Sequence, residues 1–470
     1  MRCRVGFVSL GCPKNLVDTE NMMNLLGQNG ALLTGDQSQA DIVVINTCGF
    51  LEAAKTESMS TIGEFVKLKK KKKLKGVVVA GCMTERYLGV MNEKYPEVDA
   101  FIQTREFSKI VDVVKAIENG DEEALRRRRD LIGEIETLKG HSELTDFVER
   151  IPGSRSYAYV KIAEGCNRTC SFCIIPKLRG KLHSRSISGI VDEVQKLVEN
   201  GVQEVILIAQ DLTSYGRDRS DGASLLQLMQ ELEKIRLLKW VRLHYNYPRF
   251  FTDELIEFLS TSKVFSGYLD IPFQHISDRV LKQMRRPESS AEIKSLVEKL
   301  RSRIPNVSLR STFMVGFPGE TDQDFEELVD FVKWAELDHL GTFKYCREEG
   351  TPSHDFDNQV PEKVKDERFH KLMLLQKSIQ KRKLRSQLDT SRLVVIDAFS
   401  EKTKQGLVYV ARHSGQSPEI DGVTYVLSDT ELKSGQFVQV QLVKIMGDYD
   451  LFGMPKVEFD SLAQPRRNQR

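Results

Sequence analysis

The chain has 470 residues, 40% of them apolar and 29% charged, an ordinary composition for a folded globular protein and too apolar for general disorder. At roughly 100 to 200 residues per domain its length predicts two to four domains, and its longest apolar stretches, such as residues 76–83 and 205–209, fall far short of the ~18 residues of a membrane span. Lys and Arg number 69 against 67 Asp and Glu, and a net charge of +2 gives no global attraction to nucleic acid or membrane.

In chain order, three apolar, β-branched runs at residues 5–9, 41–46 and 76–80 read as buried strands. Amphipathic stretches such as 15–27 and 56–68 make the alternation βαβαβ, which predicts a parallel sheet wrapped by helices in an N-terminal domain of residues 1–140. The apolar run ahead of Cys12 imitates a lipoprotein signal but is too short for one, so no processing is expected. The lysine run at 67–75 reads as a solvated helix C-terminus favoured by the dipole. Residues 121–156 lose the period and read as an interdomain connection.

A second α/β series follows, with strands at 157–163, 204–209, 240–245, 268–272, 308–315 and 340–346 and helices such as 188–200, 290–303 and 322–336. Six βα units are fewer than the eight that close a full barrel, so residues 152–385 are expected to form an open, partial (β/α)6 barrel. Its chemistry belongs at the C-terminal ends of the strands. After a long charged helix at 361–388 the period falls to two over 393–399, 407–411, 423–427 and 437–445. That predicts a small antiparallel β-barrel at 389–460, followed by a frayed tail at 461–470. The expected fold class is therefore α/β and multidomain: a parallel sheet domain, a partial barrel and a small β-barrel.

Eight cysteines are too sparse for a disulfide scaffold, and their grouping suggests ligands in a reducing compartment, the cytoplasm by default. Cys166, Cys170 and Cys173 are spaced C-x3-C-x2-C directly after the first strand of the partial barrel. Three thiolates in one loop can hold three irons of a 4Fe-4S cube and leave the fourth open to a ligand. Zinc, with His183 as a fourth ligand, is the rival, although structural zinc sites usually pair two C-x2-C knuckles. Cys12, Cys48 and Cys82 each lie just past the end of a predicted parallel strand, where an open α/β sheet lines its ligand crevice. They stand 36 and 34 positions apart yet are expected to converge, the alternative being three inert core cysteines. Cys3 and Cys346 have no such partners and read as packing residues. Phe172 beside the third cysteine, Gln210, Gln274 and Arg310 at or near strand ends, and Gly316 in a strand-to-helix turn are candidate cofactor contacts.

The C-x3-C-x2-C loop on the first strand of a (β/α)6 series resembles that of the radical S-adenosylmethionine enzymes. Together with the three single cysteines and the terminal barrel, it makes the chain similar along nearly its whole length to the methylthiotransferases, whose C-terminal module is the TRAM domain. Leu10-Gly11-Cys12-Pro13-Lys14-Asn15, Ala163-Glu164-Gly165-Cys166-Asn167-Arg168, Ile174-Ile175-Pro176 through Arg179-Gly180 to Ser184-Arg185, and Ala209-Gln210-Asp211 with Ser214-Tyr215-Gly216 resemble the branch that modifies a ribosomal protein. The transfer-RNA branch carries a Gln-Met-Asn type run where this chain has Pro13-Lys14-Asn15. One departure is the missing Gly-Gly-Glu run of many radical enzymes, with Gln210 in its region.

The resemblance implies two 4Fe-4S clusters, one on Cys166, Cys170 and Cys173 and one on Cys12, Cys48 and Cys82, with S-adenosylmethionine as cofactor. It implies β-methylthiolation of an aspartate in the twelfth small-subunit ribosomal protein and an electron donor such as flavodoxin or ferredoxin. The sulfur source is left open. Methylthiolation of a transfer-RNA adenosine and a non-catalytic iron-sulfur protein are the alternatives. Residues 391–460 carry ten acidic against seven basic side chains, a balance suited to a basic protein rather than RNA phosphate, so no nucleic-acid substrate is expected.

Overall fold

The computed structural model describes residues 1–126, 150 and 152–463. The connection expected at 121–156 and the tail at 461–470 lie largely outside them. The N-terminal elements run β1 (Arg4–Ser9), α1 (Pro13–Gln28), β2 (Leu32–Thr34), β3 (Ile42–Thr47), α2 (Glu52–Lys70), β4 (Gly76–Gly81), α3 (Cys82–Lys94), β5 (Ala100–Ile102) and α4 (Ile110–Asn119). All five strands are parallel, in the order β2-β1-β3-β4-β5. The three expected strands form the middle of the sheet, and β3 and β4 are buried at every position, as strands covered on both faces must be. The two edge strands are three residues long, too short to show a period. The lysine run does end α2, where Lys69 and Lys70 also reach Asp99 and Glu97 at 2.6 and 2.7 Å.

The second sheet is built from β6 (Ala158–Lys161), β7 (Ala163–Glu164), α5 (Ile175–Arg179), β8 (His183–Ser184), α6 (Ile187–Glu199), β9 (Glu204–Ile208), α7 (Leu225–Leu232) and β10 (Trp240–Leu243). It continues through α8 (Asp253–Thr261), β11 (Phe265–Asp270), α9 (Asp278–Gln283), α10 (Ser290–Arg303), β12 (Ser308–Val315), α11 (Asp322–Ala335), β13 (His339–Lys344) and α12 (Glu362–Gln387). Six parallel strands lie in chain order, β6-β9-β10-β11-β12-β13, an open barrel wall with helices outside. Helices α6, α7 and α11 bury stripes such as Ile190, Val194 and Leu197 against it. The run expected as one strand at 157–163 is divided: β6 joins the wall, and β7 turns away to pair antiparallel with β8.

The terminal strands β14 (Ser391–Thr403), β15 (Gly406–His413), β16 (Thr424–Ser428), β17 (Phe437–Met446) and β18 (Asp450–Pro455) close into a barrel, followed by α13 (Lys456–Ala463). Four of its pairings are antiparallel; the fifth, β16 with β18, is parallel. Strand β18 had no sequence signal because Gly453 and Pro455 interrupt its pattern.

The loop between β15 and β16 reaches into the N-terminal end of the partial barrel. Asp421 accepts from Arg310 at 2.8 Å and the Tyr268 hydroxyl at 2.7 Å, and lies 3.1 Å from His339 Nδ1. Glu419 accepts from the hydroxyls of Tyr157 and Tyr159, and Ser417 Oγ lies 3.0 Å from His244 Nε2. Glu204 is shared between Arg242 and Arg412, and Arg412 also bonds Asp397. Outside this plug, Asp448 pairs with Lys377, Asp450 accepts from the Val423 N–H, and Glu458 accepts from Ser428. Much of the acid excess counted over residues 391–460 is thus committed to internal contacts and does not describe an open docking face.

Candidate active site: two cysteine triads on one cavity

In the first sheet Ser9 lies beside Asn46 and Asn46 beside Ala80, so the turns after β1, β3 and β4 leave the same edge. These turns carry Cys12, Cys48 and Cys82. Gly11 has φ +92°, and a Cβ there would lie 2.6 Å from Cys48 Cβ, so only glycine lets the first two turns touch. A Cβ on Gly49 would meet the Met83 backbone at 3.1 Å, which brings the third turn equally close. Pro13 opens α1 with the fixed φ a first helical residue needs, and Asn15 ties the turns by donating to Leu10 O and Thr47 O at 3.1 and 2.9 Å.

The second triad hangs from the β7–β8 pair. The Cys166 N–H donates to Gly180 O at 3.1 Å, and Ser171 anchors the loop by donating to Met284 O through its N–H and to Gln283 O through its hydroxyl. Arg168 donates through its backbone to Cys166 Sγ at 3.4 Å, bonds Asp211 through its guanidinium at 2.8 Å and stacks over Tyr247.

All six thiols line one cavity of about 320 Å³. Phe172, Gln210 and Gln274 line it too, at the strands' C-terminal ends. Arg310 and Gly316 are not on its wall. Arg310 is the third residue of β12, near the opposite mouth, and is taken by Asp421. Gly316 faces the Lys365 side chain and donates to Glu320 at 2.7 Å. His183 is half-exposed, 4.0 Å from Asp218 and off the cavity wall, which removes it as a fourth zinc ligand. Cys3 is packed in the N-terminal core as expected, whereas Cys346 is exposed. Lys14, Asp211, Tyr245 and Arg286 also line the cavity without having been proposed as contacts. The strand-end rule that singles out Gln210 applies equally to Asp211 and Tyr245; a lysine at a helix start carries no such signal.

A buried network joins the two cysteine regions. Arg179 donates to Asp18, Glu164 and Asn15 at 3.0, 3.1 and 2.6 Å and to Cys82 Sγ at 3.1 Å. Lys161 bridges the same Asp18 and Glu164, and Gln210 donates to Glu164. Two acids and two bases, from α1, β6, β7 and α5, therefore neutralise one another across the seam between sheet domain and barrel. Burial pushes the Glu164 carboxyl up, but Arg179 and Lys161 outweigh it and hold it at about 2.

Burial also pushes the thiols of Cys82 and Cys173 up to about 12 and that of Cys166 to about 11, and raises Cys48 and Cys170. Such thiols ionise only for a strongly cationic partner, and an iron-sulfur cube is one. Among the described residues no three His, Cys, Asp or Glu side chains gather tightly enough to hold a single ion. Thiols spread around a cavity suit a cube, whose metal atoms sit at separate corners. The wall also carries orphaned polar atoms: Gln210 Oε1, Gln274 Oε1 and Asn246 Oδ1 lack a donor, and Arg286 Nε lacks an acceptor. A ligand with both an ammonium and a carboxylate, such as the amino-acid end of S-adenosylmethionine, matches that set.

The model of the Radical SAM superfamily matches residues 160–332, that of the Uncharacterized protein family UPF0004 residues 4–103 and that of the TRAM domain residues 392–455. The fold is shared with the radical S-adenosylmethionine methyltransferase TsrM from Kitasatospora setae, at a TM-score of 0.56 and 14% identity over 75% of this chain and 74% of that one. Fold and site together define a radical S-adenosylmethionine enzyme. Proteins named ribosomal protein uS12 methylthiotransferase RimO are far more similar: that of Syntrophotalea carbinolica is 43% identical over 96% of both chains, and that of Geotalea uraniireducens is 43% identical over 96% of this chain and 98% of its own. The RimO of Acetivibrio thermocellus is 40% identical over 96% and 98%. The chain belongs to the RimO family of methylthiotransferases.

Proposed function

We propose that this protein methylthiolates the β-carbon of an aspartate in ribosomal protein uS12, and that both cysteine triads take part. The observation that carries this reading is the single cavity: Cys12, Cys48 and Cys82 face the same space as Cys166, Cys170 and Cys173. When bound, two 4Fe-4S clusters and S-adenosylmethionine supply the hydrogen-abstracting radical, the inserted sulfur and the methyl group. The chain's own residues hold and orient these groups. The middle triad holds the radical-generating cluster and the N-terminal triad the sulfur-donating one. Phe172, Gln210 and Gln274 position the cofactor, and Arg286, whose Nε–H makes no hydrogen bond and lies 3.8 Å from Glu288, turns it to the cofactor's carboxylate. The Asp18–Lys161–Glu164–Arg179 network fixes the distance between the triads and keeps the wall behind them dry.

Among the described residues no helix is long and apolar enough to cross a membrane. The enzyme acts in the cytoplasm, where thiols stay reduced and where a flavodoxin or ferredoxin delivers the electrons. The test is incubation of the anaerobically reconstituted, reduced enzyme with uS12 and separately with transfer RNA. Mass analysis of uS12 should show one methylthio group in place of one hydrogen on an aspartate. A modified adenosine with untouched uS12 would overturn the reading.

A further inference from the structure

Among the described residues, four cationic side chains line the cavity: Lys14, Arg168, Arg179 and Arg286. Arg179 is met by Asp18 and Glu164, and Arg168 by Asp211. Arg286 bonds Pro272 O at 3.0 Å with Glu288 at 3.8 Å. Lys14 differs. Its residue is only 8% exposed, its ammonium sits 3.1 Å from the centre of the Tyr245 ring, and among the described residues no carboxylate lies within ion-pairing distance of it. A ring face satisfies a cation from one side and leaves N–H donors for another ligand. The ammonium opens onto the cavity without a protein acceptor among the described residues, where it is less well solvated than in bulk water, and a carboxylate bound there offsets that cost.

The platform beneath it is built with strain. Tyr245 has φ +61°, a left-handed conformation that a bulky residue rarely adopts. It is held there because its N–H donates to Asp270 Oδ2 at 3.0 Å and its carbonyl accepts from the Leu212 N–H at 3.0 Å. The ring so fixed supports the ammonium on the wall that both triads share.

We propose that Lys14, seated on Tyr245, binds the carboxylate of the target side chain and is the residue that selects an acid over its amide. The inference rests on the reading that the target is an aspartate. A carboxylate held at Lys14 keeps the adjoining methylene inside the cavity that the six thiols line. The amide of asparagine carries no charge to match the ammonium and places an NH2 group against its donors.

The test uses reconstituted full-length protein and fluorescently labelled uS12 peptides with Asp or Asn at the target position, with binding read by anisotropy in the absence of S-adenosylmethionine. Lys14→Met should weaken the Asp peptide by at least about 30-fold, the lower end of about 2 kcal/mol for truncating one partner of a buried charge pair at 1.4 kcal/mol per tenfold. It should leave the already weak Asn peptide nearly unchanged, and Lys14→Arg should recover part of the loss. Unchanged affinity for the Asp peptide would overturn the inference, even with slower cofactor cleavage, because the carboxylate met by Lys14 would then be the cofactor's. Equal losses for both peptides would overturn it as well, since the effect would then be shape and not charge. A wild-type enzyme that modifies uS12 beside an equally able Lys14→Met variant sinks only the role of Lys14. A wild-type enzyme that ignores the Asp peptide and uS12 sinks the substrate reading and this inference together.

Discussion

Replacing Asp421 by Asn keeps the shape of the side chain and removes its charge at the point where the terminal barrel enters the partial one. The carboxylate is buried and is met by Arg310, the Tyr268 hydroxyl, the Ser417 N–H and, at 3.1 Å, His339 Nδ1. Losing one partner of a buried ion pair costs about 3–5 kcal/mol, and here the half-buried Arg310 keeps only the more distant Asp270, at 3.8 Å. At about 2–4 °C per kcal/mol for a cooperative unit of this size, Asp421→Asn should lower the apo-protein Tm by about 6–20 °C. Thermal unfolding followed by circular dichroism at neutral pH measures this. The double variant Asp421→Asn with Arg310→Met should recover part of the loss, limited by Asp270, which then loses Arg310 at 3.8 Å. Burial raises the Asp421 carboxyl, but His339 and Arg310 outweigh it and hold it below its usual 3.8. The pair therefore stabilises the fold above that value and its contribution is lost as pH falls through the folded one, so wild type should lose its advantage over Asp421→Asn in acid. A variant Tm within about 2 °C of wild type would refute the idea that the plug holds the two barrels together.

Anaerobically reconstituted protein should contain about eight irons, two cubes of four, and replacing Cys12, Cys48 and Cys82 together by Ala should halve that in an iron assay. Full iron retention would exclude those thiols as ligands. Cys170→Ala should abolish formation of 5'-deoxyadenosine along with product, whereas Cys48→Ala should abolish sulfur insertion while cofactor cleavage continues; chromatography of both products separates the roles. Glu164→Gln should cost about 3–5 kcal/mol in apo-protein urea melts, because Arg179 and Lys161 lose a buried counter-charge. With the Glu164 carboxyl at about 2 against an ordinary 4.5, its contribution is complete above 4.5 and fades between 4.5 and about 2, so the gap between wild type and Glu164→Gln should close over that range.

The triads were legible because the signal was topological. A cysteine just past a parallel strand lies at the crevice whatever its distance in sequence, and the central strands β1, β3 and β4 are apolar runs that need no partner to be recognised. Gln210 and Gln274 follow from the same logic, and Phe172 from its place beside Cys173. What failed did so for physical reasons. Edge strands β2 and β5 bury too few residues to show a period. Arg310 is a poor strand-end choice even on the expected strand 308–315, because as its third residue it lies near the start of β12 and not at the C-terminal end. Its partner Asp421 lies 111 residues away, and no local pattern marks such a pair. Counting charges over the terminal barrel misled in a similar way, since Asp397, Glu419 and Asp421 are engaged at the plug.

The plug also imposes an order on biosynthesis. Glu204 and Arg412 are 208 residues apart, so at about 5–20 residues per second the ribosome delivers the arginine some 10–40 s after the glutamate. Late in that interval the nascent wall has Glu204, Tyr268 and Arg310 in place while Arg412 and Asp421 are still unmade. Until the last domain emerges, Glu204 has Arg242 and Arg310 has Asp270 at 3.8 Å, and water must supply the partners that Arg412 and Asp421 later provide. Iron loaded before then would enter a vessel with an unsealed floor. The residues that line the cavity, from Cys12 to Arg286, are all made before Arg412, so a ribosome-bound intermediate stalled before residue 412 should carry the iron-binding thiols above an open barrel floor.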